Sequence, residues 1–199
     1  MLEDCGLISR EPDVFKDNRT KYRIAEPLVT FYHSVMRPIR ADLEHTRDAS
    51  GLWRRSQQRF TGNVLGPHLE QVCRHWTRYM APDETFGGYP NHVGSGTVND
   101  PARKASYELD VVAFGLDDDN RRPLLAIGEA KWGETMGMTH LERLRRIRTL
   151  LAAQGRYGAE TARLACYSAA GFHDDLLRAA EQNDDIVLVS PADLYSDAP

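Results

Sequence analysis

Charged residues stand inside two short apolar segments of the sequence, where a buried β-strand normally has none. Asp110 lies within residues 107–114, and Glu129 and Lys131 lie near the end of residues 124–132. Burying an unpaired charge costs several kcal/mol, so three such residues on neighbouring strands indicate a site. A divalent metal ion held by the two carboxylates is the simplest compensation for their charge.

The chemistry of these three residues follows from strand geometry. Side chains alternate between the faces of a strand, so Glu129 and Lys131 share one face, and Asp110 shares its face with Val112 and Phe114. A register that places Asp110 opposite Glu129 would bring two carboxylates and one ammonium together. Hard oxygen ligands of this kind suit Mg²⁺ or Mn²⁺, which would acidify a bound water and stabilise charge on a phosphoryl oxygen. Lys131 would then orient the attacking water or offset the developing negative charge.

A third carboxylate precedes the two strands on a predicted helix. Apolar residues at helical spacing predict this helix over residues 65–80, and Glu70 lies at the edge of its buried face. We expect Glu70 to complete the metal shell or to hold a metal-bound water. Pairing of Glu70 with Arg74 one turn later is an equally supported alternative, and the two roles do not exclude each other. For the strand residues, the alternative is a cross-strand ion pair, worth ~0–1 kcal/mol if exposed.

The remaining pattern predicts an α/β fold. Residues 138–153 have helical periodicity, and the two central strands are joined by a connection short enough for an antiparallel hairpin. Helices and strands then alternate to the end of the chain, which favours a mixed β-sheet flanked by helices. We divide the chain into a partial winged-helix tail (1–26), a helix and linker (27–51) and the main domain (52–199).

Two basic segments are candidates for contact with nucleic acid. A predicted hairpin over residues 14–24, with its turn at 17–18, carries Lys16, Arg19 and Lys21 and has the character of a wing that contacts the DNA backbone. A strand that docks on another domain or chain would have the same pattern. Arg143 and Arg146 lie on the helix over 138–153, where they either bind phosphate or belong to a solvated face with Glu142–Arg146 pairing.

Composition limits the class of protein. The 199 residues carry a formal net charge of −4, so nucleic acid must be bound by a local basic patch. Three scattered cysteines, Cys5, Cys73 and Cys166, predict a reducing, cytoplasmic location without disulfides or zinc–thiolate sites. The sequence has neither a long apolar run typical of a membrane helix nor the pattern of a signal peptide.

The order of these residues resembles the PD-(D/E)XK nuclease superfamily, whose fold is restriction-endonuclease-like. In that family a helix bears a Glu, the next strand an Asp, and a further strand ends in (D/E)-x-Lys. Here Glu70, Asp110 and Glu129-Ala130-Lys131 take these places, with Leu109 where the family has its Pro. The resemblance covers about residues 55–190 and implies metal-dependent DNA hydrolysis with these four residues as the catalytic set. A nuclease fold that has lost its activity is a further possibility.

The flanking segments resemble the C-terminal region of archaeal-type AAA ATPases that carry the DUF234 domain. The segments that carry this likeness begin Leu7-Ile-Ser-Arg-Glu-Pro, Tyr22-Arg-Ile-Ala-Glu-Pro-Leu, Glu108-Leu-Asp-Val-Val-Ala and Gly128-Glu-Ala-Lys-Trp. In that family a P-loop ATPase domain and a winged helix precede the nuclease-like domain. This sequence contains no P-loop motif, so we expect an AAA-type ATPase as a partner in cis or in trans and no nucleotide site here.

Two other classes of function are kept beside the nuclease. One is a non-catalytic DNA-binding or regulatory module that serves an ATPase. The other is an interaction domain that forms a homo-oligomer, favoured if residues 1–24 expose apolar surface that a second chain covers. We expect no membrane partner.

Overall fold

The computed structural model describes residues 2–45, 47–116 and 122–196. In these residues the chain forms an α/β structure with a five-stranded sheet, helices packed against it, and a separate two-stranded sheet. The strands are β1 (Ile8–Pro12), β2 (Thr20–Ile24), β3 (His92–Asp100), β4 (Ala105–Phe114), β5 (Leu124–Lys131), β6 (Arg163–Ser168) and β7 (Ile186–Val189). The α-helices are α1 (Pro27–Phe31), α2 (Arg40–His45), α3 (Ala49–Phe60), α4 (Gly66–Tyr79), α5 (Met138–Ala153), α6 (Asp174–Glu181) and α7 (Pro191–Tyr195). Shorter segments are π-helical (Tyr32–Met36, Thr61–Leu65) or 3₁₀-helical (Arg37–Ile39, Asp83–Phe86, Ala159–Thr161).

The five-stranded sheet is mixed, as predicted. Its order is β3-β4-β5-β6-β7, with antiparallel pairing from β3 to β5 and parallel pairing from β5 to β7. The antiparallel pairing of β4 with β5 confirms the predicted arrangement of the two central strands. Parallel strands need a crossover connection, and α5 and α6 supply one each. The Asp117-Asp-Asp run between β4 and β5 lies outside the described residues.

Two hydrophobic layers hold the sheet between helices. Residues of α5 such as Leu144 and Ile147 pack with Val112 and Ile127 in one layer. On the other face, Cys73 and Trp76 of α4 pack with further sheet residues, which are Val111, Ala113, Ala126, Ala165 and Tyr167. The helices that flank the candidate site are therefore anchored to opposite faces of the same strands.

Helical structure before α4 is more extensive than predicted. The linker expected at the end of residues 27–51 contains α2 and the beginning of α3. Asp48 starts α3, because its Oδ1 accepts a hydrogen bond of 2.8 Å from the backbone N–H of Gly51. The expectation was wrong because it rested on apolar periodicity, and α2 is a helix without a single buried residue.

The N-terminal hairpin is present, with different bounds from those predicted. Its strands are β1 and β2, and residues 14 and 15 lie in the loop between them because they pack on the main sheet. The backbone N–H of Val14 donates a 3.0 Å hydrogen bond to the carbonyl of Ser95, and the Phe15 ring lies 5.9 Å from that of Phe114. The hairpin thus docks on the main domain. Its origin in a winged helix, and the division into three segments, stay predictions.

No helix among the described residues is both long and apolar enough to cross a membrane.

Candidate active site

A β-bulge places Asp110. In the pairing of β3 with β4, Gly94 lies opposite Val112 and Gly96 opposite Leu109, so Asp110 and Val111 together face the single residue Ser95. Leu109 and Val112 belong to the same hydrophobic layer, whereas strict alternation would separate them. The prediction that Asp110 follows the alternation of Val112 and Phe114 is therefore wrong at this point, since a bulge redirects the strand.

Asp110 nevertheless lies beside the strand that carries the other two residues. Its Oδ2 accepts a hydrogen bond of 2.9 Å from the backbone N–H of Ala130, between Glu129 and Lys131. The β4–β5 ladder ends at Val111 opposite Gly128, one residue short of Asp110 and Glu129. The observed pairing thus stops one residue before the two carboxylates, and their placement directly opposite each other stays a prediction.

The Asp110 carboxyl is largely buried and lacks a full neutralising charge. Burial raises its pKa from 3.8 to about 6; the Ala130 N–H lowers it, Glu70 and Glu129 raise it, and Lys131 lowers it. Within the part of the chain that the structure describes, Oδ1 has no hydrogen-bond partner. A cation at this position would stabilise the ionised form of the carboxyl. The environment of Asp110 therefore favours the binding of a cation.

Glu129 has the opposite environment. Its side chain is only 7% exposed, and its two oxygens each meet a cation, with Lys131 Nζ 2.9 Å from Oε1 and Arg143 Nη1 2.6 Å from Oε2. Burial alone would raise the pKa of Glu129, but hydrogen bonds and charges from these two cations outweigh burial and lower it. For Lys131, burial alone would lower the pKa, but the hydrogen bond and charge of Glu129 raise it. Glu129 is thus an ionised carboxylate and Lys131 a charged ammonium.

Glu70 faces two arginines. Its Oε2 lies 3.3 Å from Arg23 Nη2 and 3.8 Å from Arg74 Nη1. The i,i+4 pairing with Arg74 that the sequence left open is therefore present, and β2 adds a second cation. Glu70 is close enough to Asp110 to raise the pKa of that carboxyl. The structure thus puts Glu70 at the border of the site, with its charge already compensated.

Glu11 is a site residue that the sequence interpretation missed. Its Oε1 lies 3.2 Å from Arg23 Nε and 3.4 Å from Arg74 Nη2, and Arg74 donates a 2.9 Å hydrogen bond to the carbonyl of Asp110. Among the described residues, Glu11 Oε2 is buried without a hydrogen-bond partner. Glu11 is 99 positions before Asp110, so no local pattern could have joined the two; only the docking of the hairpin does.

The predicted nucleic-acid-binding residues fall into two groups, those whose side chains contact other residues of the protein and those whose side chains are exposed to solvent. Lys21 pairs with the Glu108 side chain, and Arg143 donates a 2.8 Å hydrogen bond to the Glu108 carbonyl, so both lie at the same part of β4. Lys16 donates a 3.1 Å hydrogen bond to the side chain of Asn99. The other group is Arg19 and Arg146, which are both exposed. Lys21 and Arg143 border the candidate site, with their charges partly engaged by the protein itself.

Comparison of the chain with protein-family models, with curated proteins and with solved structures finds no match. The interpretation of the site therefore rests on its own residues.

The candidate ligands suit a small divalent ion that keeps several bound waters. They do not suit a metal site whose ligands are all supplied by the protein. Among the described residues no group of three or more His, Cys, Asp or Glu side chains is arranged to hold a metal. Mg²⁺ does not need such a group, since it binds through one or two carboxylates and completes its shell with water and phosphate oxygens. Asp110 supplies a carboxyl with an unpartnered oxygen, and Glu129 supplies the second once one of its cations moves aside. By the chemistry of the donors, the residues fit the ion.

Proposed function

We propose that the chain is a metal-dependent nuclease that hydrolyses phosphodiester bonds in DNA, with Mg²⁺ or Mn²⁺ as its cofactor. The observation that carries this proposal is the contact between Asp110 and the backbone of Ala130, which sets a partly buried, incompletely neutralised carboxyl beside Glu129 and Lys131. A purely structural ion pair would not need a third, uncompensated acid. Perturbed acids of this kind are typical of functional sites.

The proposed fold is the restriction-endonuclease-like one, and the proposed family is the DUF234-type region of AAA ATPases. The element order supports both: a helix with Glu70, a strand with Asp110 and a neighbouring strand ending in Glu129-Ala130-Lys131. In this proposal an AAA-type ATPase acts with the chain in cis or in trans, and the chain itself works in the cytoplasm. A homo-oligomer stays a prediction.

Each residue has a distinct role in the proposed mechanism. Asp110 and Glu129 would hold the ion, which supplies an acidified water and neutralises negative charge on the phosphate. Lys131, kept charged by Glu129, donates a hydrogen bond to the attacking oxygen and stabilises charge in the transition state. Arg143 is close enough to bind a substrate phosphate when it leaves Glu129. Glu70 holds Arg74, which in turn supports the Asp110 backbone.

The test is a cleavage assay on single-stranded and duplex DNA with Mg²⁺, with Mn²⁺ and with chelator. We expect cleavage that requires the metal and that falls at least about 100-fold in Asp110→Asn and in Lys131→Met. Glu142→Gln is the matched control, because it removes an exposed carboxylate of α5 that pairs with Arg145. Asp110→Asn that cleaves as well as the wild type would overturn the proposal.

One observation favours a second candidate function, a catalytically inactive DNA-binding or regulatory module of an ATPase. Both oxygens of Glu129 are already bound by cations, which is how a structural ion-pair cluster is satisfied. This candidate predicts DNA binding without cleavage under every metal condition. The absence of cleavage by the wild-type protein separates this candidate from the nuclease.

A further inference from the structure

A basic cavity opens next to the candidate active site, on the side of α4. It has a volume of about 470 Å³ and lies between β1, α4 and the beginning of β3. Among the described residues that line it are three arginines and two histidines with a single carboxylate, namely Arg10, Arg74, Arg78, His75, His92 and Glu11. That carboxylate already lies between Arg23 and Arg74, so the cavity keeps an excess of positive charge.

Arg78 is the central donor of this cavity. Its guanidinium lies 5.1 Å from the centre of the Tyr79 ring and 5.0 Å from that of Tyr89, so two aromatic rings hold it in place. Within the described chain its Nη1 is buried without a hydrogen-bond partner, and it makes no ion pair. A charged group with a buried, unpaired N–H is costly, so the guanidinium gains from an anion placed beside it. The planar fork of an arginine suits the oxygens of a phosphate.

The electrostatics around His92 agree with an anion site. Burial lowers the pKa of His92, and the charges of Arg122 and Arg78 lower it further. The groups that face this histidine are thus positive, and the imidazole stays neutral at pH 7. An anion bound beside His92 would offset the positive charges of Arg78 and Arg122.

The cavity is connected to the candidate active site through two residues. Ser95 lines it and lies opposite the Asp110–Val111 bulge. Arg74 lines it as well and donates its hydrogen bond to the Asp110 carbonyl. The cavity and the candidate active site therefore adjoin the same bulge of β4.

The two tyrosines indicate which form of nucleic acid the cavity accepts. Tyr79 is 68% exposed and Tyr89 55% exposed, so each ring offers surface beside the arginine that it holds. Exposed aromatic rings next to a phosphate-binding arginine are typical of sites for single strands, whose unpaired bases stack on them. In a duplex the bases are paired with each other, so they are not free to stack on these rings.

We propose that this cavity binds a backbone phosphate of single-stranded nucleic acid, with Arg78 as the main donor and Tyr79 and Tyr89 as stacking surfaces for the adjacent bases. The proposal extends the proposed nuclease by naming its substrate, yet the binding itself needs neither metal nor cleavage. A chain without nuclease activity would still bind the strand.

The test measures affinity for a fluorescein-labelled oligo-dT strand by anisotropy, with chelator present so that no cleavage occurs. We expect Arg78→Gln to weaken binding about tenfold and to reduce the slope of log K against log salt by about 0.7, the value for one phosphate contact on a single strand. Arg10→Gln, at an exposed position of the same cavity, is the second variant and should lower the slope in the same way. The matched control is Arg178→Gln on α6, which packs against the opposite edge strand β7.

Two further measurements separate a strand from a free phosphate ion. Tyr79→Leu and Tyr89→Leu should weaken oligo-dT binding at least about fivefold. The inhibition constant of inorganic phosphate, obtained from displacement of the strand at constant ionic strength, should stay unchanged. Arg78→Gln that matches Arg178→Gln in affinity and salt slope would overturn the proposal. So would tyrosine variants that bind oligo-dT like the wild type, because the cavity would then accept phosphate without recognising a strand.

Discussion

The Oδ2 atom of Asp110 accepts a 2.9 Å hydrogen bond from the backbone N–H of Ala130, which ties a partly buried acid of β4 to the strand that carries Glu129 and Lys131. The bulge opposite Ser95 makes this contact possible, since it turns the strand at the residue whose carboxyl is needed. Two neighbouring carboxyls thus acquire contrasting environments. Glu129 is fully paired with cations, and Asp110 is not.

The stability of the protein should depend on the ionisation of Asp110. Its pKa in the folded state, about 6, is above the ordinary 3.8, so ionisation opposes folding. Protonated Asp110 therefore adds at most ~3 kcal/mol to the free energy of unfolding. This contribution is present below about pH 4 and falls as the pH rises to about 6. Asp110→Asn should be more stable than the wild type at pH 8 and closely similar at pH 4, as measured by urea unfolding. Equal stability of the two proteins at pH 8 would contradict this.

Loss of the Glu129 charge should lower the stability of the protein, in contrast to loss of the Asp110 charge. Glu129→Gln leaves Lys131 and Arg143 close together without their shared anion. We expect a loss of ~1.5–3 kcal/mol at pH 7, measured by urea unfolding. Glu142→Gln removes an exposed ion pair with Arg145 and should change stability by less than ~0.5 kcal/mol. Because the pKa of Glu129 is lowered in the folded state, its contribution is present above the pKa of the unfolded chain and is lost as the pH falls through the folded value.

Docking of the N-terminal hairpin should depend on Gly96. A Cβ there would lie 2.5 Å from Phe15 Cδ2 and 2.9 Å from Val14 Cγ2. Gly96→Ala should therefore displace the hairpin loop, lower the stability by ~1–3 kcal/mol and speed proteolysis near residue 15. The control is Gly62→Ala, where a Cβ meets nothing within 4 Å and alanine favours a helix. If both variants are cleaved at the wild-type rate, the packing of the hairpin loop on β3 does not hold the hairpin on the main domain.

Arg143 should compete with a metal ion for Glu129. Its Nη1 lies 2.6 Å from Oε2, so binding of a divalent ion to that oxygen must displace the guanidinium. Arg143→Gln should bind Mn²⁺ several-fold more tightly than the wild type in a calorimetric titration, because one competing charge is gone. Arg146→Gln, an exposed arginine of the same helix, should leave the affinity unchanged. Weaker Mn²⁺ binding by Arg143→Gln would mean that the arginine supports the ion instead of competing with it.

Much of the main domain could be predicted from the sequence, because its elements have strong periodicity. The bounds of α5 agree with the prediction, and the antiparallel β4–β5 pair follows from its short connection. The proximity of Asp110 to residues 129–131 was predicted as well, because β4 and β5 are antiparallel neighbours.

The remainder depends on contacts between distant segments. The bulge at Asp110 arises where Val14 and Phe15 of the hairpin loop pack closely on Gly94 and Gly96, and period-two alternation has no information about it. The pairing of Glu11 with Arg74 joins β1 to α4 for the same reason. The exposed helix α2 was missed because it has no buried face to give it periodicity.

The most direct test of the central claim is anomalous scattering from crystals soaked in Mn²⁺ together with a short oligo-dT strand. The account predicts a single anomalous peak within coordination distance of both Asp110 and Glu129, about 2.0–2.3 Å from a carboxylate oxygen of each. It also predicts that the peak disappears in Asp110→Asn crystals treated in the same way. A well-ordered map without a peak between these residues, with Lys131 and Arg143 still bound to Glu129, would contradict the metal-dependent nuclease.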